Sequence, residues 1–174
     1  MLRGPQILLR IMTPEEVVPY ALHLNHPEGR DKDDFCFVSP AKFMGNHIST
    51  SHYCEEEALL AIDKGEAKHV GYARFYLANP AVGNLELDIE FYDLENDNKE
   101  NRCEAMALLG KYLFDDRPIE RLQVMLRPED ETGRKAATDA GFVQEGTLKQ
   151  MVFVRGEWRD LEIWSVLREE LQNV

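Results

Sequence analysis

The chain has 174 residues, 44% of them hydrophobic and 30% charged, which suits one domain spanning 1–174 and excludes disordered and fibrous classes. Asp and Glu number 32 against 20 Lys and Arg, a formal net charge of −12 that repels polyphosphate backbones and argues against a nucleic-acid partner. The 3 cysteines show no paired spacing and no apolar run approaches the ~18 residues of a membrane span, so the expectation is a cytoplasmic domain without disulfides, off the membrane.

Residues 6–12 predict a first strand. Thr13-Pro14-Glu15-Glu16 then marks a helix start: Pro is pre-set for the first helical position, and Glu16 stands where a capping box wants an acid. That helix is expected to end before Pro27. Residues 25–51 lack a clear period and carry Asp31, Asp33, Asp34 and the aromatics Phe35, Phe37 and Phe43. They read as a short-helix excursion or a binding loop, a variable substrate-side segment taken here to residue 53. Strands at 58–63 and 68–77 follow, joined by a turn at Lys64-Gly65.

The cleanest alternation is at 85–91. Leu85, Leu87, Ile89 and Phe91 face one way, and Glu86, Asp88 and Glu90 the other. Three acids on one strand face repel, so that face must be wet or opposed by positive charge. A helix is predicted from Asn101, as cap, with Glu104 completing a capping box. Cys103, Met106, Ala107, Gly110, Leu113 and Phe114 keep its helical spacing. A strand at 121–126 stops at Arg127-Pro128, and a short helix from about 131 ends at Gly141, the expected left-handed cap. Residues 142–167 read as two strands with a hairpin at Arg155-Gly156, and a terminal helical turn follows. The order is that of an α/β (α+β) domain.

Several strings then resemble the GCN5-related N-acetyltransferase (GNAT) superfamily, in its ribosomal-protein N-terminal acetyltransferase branch. They are Leu2-Arg3-Gly4-Pro5 with Thr13-Pro14-Glu15-Glu16, Arg127-Pro128-Glu129-Asp130, the run from Arg134 to Gly141-Phe142, and Val154-Arg155-Gly156-Glu157-Trp158. The resemblance implies a mixed, mostly antiparallel sheet flanked by helices, with a V-shaped split between two central parallel strands, here 85–92 and 121–126. It implies acetyl-CoA as co-substrate in that split, with Leu87, Ile89, Lys99, Arg102, Asp130 and Arg134 as its contacts. It also implies an N-acyltransferase acting on a primary amine. The family's glycine-rich pyrophosphate loop corresponds to Asn96-Asp97-Asn98-Lys99-Glu100-Asn101-Arg102, which has no glycine and carries acids. That departure keeps an alternative open: a protein of this fold that has lost CoA and serves as a binding module, or holds another substrate in the groove.

Glu86 matches the family position of a base that deprotonates the acceptor, with Glu90 the alternative base. A solvated acidic strand face is the blander reading of the same residues. Asp88, Phe37 and Tyr53 are the candidate acceptor contacts. The acids favour a cationic amine: a polyamine, an aminoglycoside-like amine, or a peptide α-amino or Lys group. His23, His26, His47 and His52 form no short ligand motif and read as loop or surface histidines, so no metal is expected. Cys103, although in a first helical turn, reads as core. Oligomeric state is left open, a homodimer among the options.

Overall fold

The computed structural model describes residues 1–25, 39–50, 53–54, 56–79, 83–154 and 156–171. The first half comprises β1 (Leu2–Arg3), β2 (Ile7–Ile11), α1 (Pro14–Asn25), α2 (Pro40–Thr50), β3 (Glu57–Lys64) and β4 (Ala67–Asn79). The second comprises β5 (Asn84–Phe91), α3 (Lys99–Asp116), β6 (Arg121–Leu126), α4 (Glu131–Asp139), β7 (Val143–Val154), β8 (Glu157–Leu167) and α5 (Arg168–Leu171).

The described strands form an eight-stranded sheet in the order β1-β2-β3-β4-β5-β6-β8-β7. Only β5 and β6 run parallel among the described pairs, and the mixed, mostly antiparallel sheet expected from the sequence is the one observed. Their register covers Leu85↔Leu122, Glu86↔Gln123 and Leu87↔Val124 and then stops. β5 continues to Phe91 and β6 to Leu126, so the two strands part in a V.

Alternation decides which face each side chain meets. Leu85, Leu87, Phe75 and Ala73 are buried in one cluster with Ala105, Met106, Leu109 and Leu113 of α3. On the opposite face α1 packs Val17 and Tyr20 against Met12, Leu59, Ala61 and Tyr72, with Phe43 and Met44 of α2 beside them. Arg10 of β2 ties this layer together: Nη2 lies 2.6 Å from Glu16 of α1 and Nε 2.7 Å from Asp63 of β3. The Arg10 guanidinium holds the Glu16 carboxyl down to about 2. Glu16 also accepts the Thr13 N–H at 2.8 Å, as the capping-box spacing predicts.

One expectation needs correction. The helix predicted from Asn101 begins at Lys99, with Asn98 as its N-cap accepting the Asn101 N–H at 3.0 Å. Asn98 has extended backbone and the same side-chain oxygen three residues earlier, so it takes the cap. Asn101 is buried and donates Nδ2 to the Asn96 carbonyl at 2.7 Å. Glu104 does not complete a capping box; it accepts the N–H groups of Gln6 and Ile7 at 2.9 and 3.0 Å, anchoring β2 to α3. Within the segment read as a short-helix excursion or a binding loop, α2 is a regular helix. Asp31, Asp33, Asp34, Phe35 and Phe37 lie outside the described residues. No helix among the described residues is long and apolar enough to cross a membrane.

Candidate active site

On the face away from α3, the sheet floor between α1 and the β7–β8 hairpin stays open. It forms a pocket of about 430 Å³ lined by Tyr72, Tyr76, Glu86, Asp88, Glu90 and Gln123, with Leu24, Met151 and Leu161 among its walls. That volume lies within the ~300–1,000 Å³ of small-molecule sites. The three acids of β5 thus share one face and one pocket, as their alternation predicts.

What opposes them is mainly tyrosine. β4 runs antiparallel beside β5, placing Tyr72 opposite Glu90, Arg74 opposite Asp88 and Tyr76 opposite Glu86. Tyr76 donates its hydroxyl to Glu86 Oε1, while Gln123 of β6 donates Nε2 to Oε2 at 2.7 Å. Tyr72 donates to Glu90 at 2.5 Å and lies 3.3 Å from Asp88. Burial, and then the neighbouring carboxylates, push both hydroxyls above the usual tyrosine value. They therefore stay protonated and donate at any physiological pH. The Arg74 guanidinium sits over the Tyr76 ring, 4.5 Å from its centroid. Glu90 is 4% exposed, and its Oε1 lies 3.2 Å from His23 Nε2.

The split between β5 and β6 holds a second, narrow cavity of about 80 Å³. Its walls include Leu87, Asp88, Ile89, Val124, Met125, Arg102, Arg127 and Asp130. Leu87, Asp88 and Met125 line both cavities. The acidic pocket and the split therefore adjoin at these three residues.

At the far end Arg102, Lys99 and Arg134 lie against carboxylates, while Arg127 also lines the split. Arg102 holds Asp97 through Nε at 2.5 Å and Nη2 at 2.8 Å, and Asp130 through Nη1 at 2.6 Å. Burial works against its charge, but the two carboxylates outweigh burial and raise its pKa. Lys99 Nζ lies 2.8 Å from Asp139, and Arg134 Nε lies 3.1 Å from Glu162. The loop before α3 also spends its own N–H groups: Asn96 on Asp93 Oδ1 at 2.8 Å, Asp97 on the Asp93 carbonyl at 2.9 Å, Asn98 on the Asn96 carbonyl at 3.0 Å. A diphosphate needs such groups turned outward. These three are turned into the loop.

Of the remaining sequence expectations, Tyr53 does not reach the acidic pocket. It packs edge-on to Phe75 on the α3 side of the sheet, bonds the Tyr112 hydroxyl and lines a separate cavity. Phe37 and the residues His26 and His52 lie outside the described residues. Among the described residues no group of His, Cys, Asp and Glu could hold a metal ion. Burial pushes the Cys103 thiol up. Sequence reasoning missed the two tyrosines, Gln123 and His23. The period-two spacing of Tyr72, Arg74 and Tyr76 on β4 could have revealed the first pair; the other two depend on register and helix placement.

No family model matches the chain. Its structure superposes on spermidine N-acetyltransferase of Vibrio cholerae, solved in complex with CoA and spermine, with a TM-score of 0.81 at 16% identity, covering 98% of this chain and 100% of that one. The fold is that of the GNAT N-acetyltransferases. A chimera of the Vibrio cholerae enzyme and hSSAT gives the same TM-score of 0.81 at 15% identity over 97% of this chain and 99% of that one. In sequence, the "Probable N-acetyltransferase YjcK" of Bacillus subtilis is 25% identical over 80 residues, 46% of this chain. The chain matches less than half of that protein, 44% of its length. In this chain the parting parallel strands are β5 and β6, the pair named from the sequence.

Proposed function

We propose that this protein is an amine N-acetyltransferase, taking a cationic primary amine in the acidic pocket and an acyl thioester arm in the β5–β6 split. The observation that carries the reading is the meeting of the two cavities at Asp88. Glu86, Asp88 and Glu90 give the pocket its negative field, which suits an acceptor that arrives as an ammonium. Spermine in the Vibrio cholerae neighbour supports a polyamine as the acceptor class.

Transfer requires a neutral nitrogen. Asp88 is the carboxylate that lines both cavities among the described residues, and it takes the ammonium proton. Glu86, held through both oxygens, and Glu90, behind the Tyr72 hydroxyl, anchor the cation. The nitrogen then attacks the acyl carbon. An N–C bond forms, the C–S bond breaks, and the proton that the attacking nitrogen sheds passes, through water, to the leaving thiolate, which ends as a thiol. Holding both reactants at one junction supplies much of the rate.

A second reading is a binding module for cationic amines, favoured by the carboxylates that occupy Arg102. Incubating the protein with acetyl thioesters and a panel of amines, with mass spectrometry of products, separates the two. Acetylation of polyamines and other cationic amines, but not of neutral or anionic ones, is the expected result. Calorimetric binding of polyamine without product from any thioester would favour the binding module. Turnover confined to neutral or anionic amines would defeat both readings.

A further inference from the structure

Arg102 and Asp130 stand at the N-termini of α3 and α4 and line the split. Both helix ends are capped from within the chain. Asn98 accepts the Asn101 N–H at 3.0 Å, and Asp130 accepts the Gly133 N–H at 2.9 Å. Between them Arg102 is 6% exposed, its guanidinium fork divided between Asp97 and Asp130. Gly133 packs against this pair. A Cβ there would stand 2.4 Å from Asp130 Oδ2 and 2.8 Å from Arg102 Nη1, so the ion cluster is packed closely against the start of α4.

To hold a diphosphate, Arg102 would have to release at least one carboxylate. The released charge would then lie beside the incoming anion in a poorly solvated place. One cation, Arg127, also lines the split; Lys99 is drawn to Asp139.

We infer that the thioester donor is recognised through a phosphate-free, pantetheine-like arm, and that the Asp97–Arg102–Asp130 cluster removes the preference for a nucleotide diphosphate. The inference rests on the acyl-transfer reading above and names its donor class. The split, at about 80 Å³, must widen to admit such an arm, but its lining suits one: Leu87, Ile89, Val124 and Leu126 supply apolar walls, and the parting strand edges offer backbone groups to its amides.

The test is calorimetric titration of the intact protein with CoA and with pantetheine, at low and at high salt. The two ligands should bind within about threefold of each other, with little salt dependence, because the phosphates add no net contact. Replacing Asp97→Asn frees part of the Arg102 fork and should tighten CoA by about tenfold while leaving pantetheine unchanged. Comparison of the two ligands on the unaltered protein keeps the test valid should that variant fold poorly. CoA binding tenfold or more tighter than pantetheine, and weakened by salt, would overturn the inference and leave acyl transfer standing. Failure of both ligands to bind would overturn the acyl-transfer reading and this inference with it.

Discussion

The two acidic regions flanking the split resolve like-charge repulsion by different means. In the pocket, Glu86 and Glu90 face mainly tyrosine hydroxyls and a glutamine amide, with His23 beside Glu90 and Arg74 opposite Asp88. Neutral donors hold a carboxylate in place while leaving its charge available to a ligand. At the far end, Asp97 and Asp130 share a buried arginine, and most of that charge is consumed inside the protein. A high density of acids therefore says little about binding until the opposing groups are known. Hydroxyls make a field that reaches outward, whereas a guanidinium closes it.

Four measurements would break or sharpen this contrast. The largest expected effect is at the junction. Asp88→Asn should lower kcat by ~10²–10⁴-fold, least at high pH, whereas Glu86→Gln should act mainly by raising KM for the amine. The reverse pattern in steady-state kinetics would move the base one pleat along β5. Next comes the far end: Arg102→Met leaves two carboxylates facing each other and should cost about 3–5 kcal/mol in urea unfolding. Adding Asp97→Asn to that variant should recover part of the loss.

A smaller effect belongs to the pocket's neutral donors. Tyr72→Phe removes the hydroxyl that serves the buried Glu90 and should cost about 1.5–3 kcal/mol. A cost equal to that of Arg102→Met would erase the distinction between the two regions. The smallest effect gives a baseline from the Arg10–Glu16–Asp63 group. The folded-state value of Glu16 is about 2 against an ordinary 4.5. Its contribution is thus complete above about pH 4.5 and is lost as pH falls through about 2. Replacing Arg10→Met should flatten that limb of the stability–pH curve.

Much of the frame was legible in the chain. The alternation at 85–91 placed three acids on one face, the Thr13–Glu16 spacing placed a helix start, and Gly141, at φ 88°, ended α4. Such signals are local, set by periodicity and capping chemistry within a few residues. The start of α3 went astray because Asn98 and Asn101 offer the same capping group, and the choice fell to burial of Asn101 under the loop. The site was half legible for a related reason. Which acids share a face follows from period two, but which groups oppose them follows from pairing across β4, β5 and β6. The contacts Gln123–Glu86, Arg102–Asp130 and His23–Glu90 join residues 37, 28 and 67 positions apart. No short string announces them.

The early end of the β5–β6 ladder has a consequence for amide exchange. Past Leu87 and Val124 the facing edges no longer pair with each other, although β4 and β8 still cover their outer sides. The middle of an eight-stranded sheet should therefore contain a short row of amides that exchange with solvent deuterium far faster than their neighbours. An extended guest carrying amides would slot in as a missing strand and slow that row, leaving the outer-facing amides of the alternate residues unchanged. Occupancy of the split could then be read strand by strand, without a chromophore, a label or turnover.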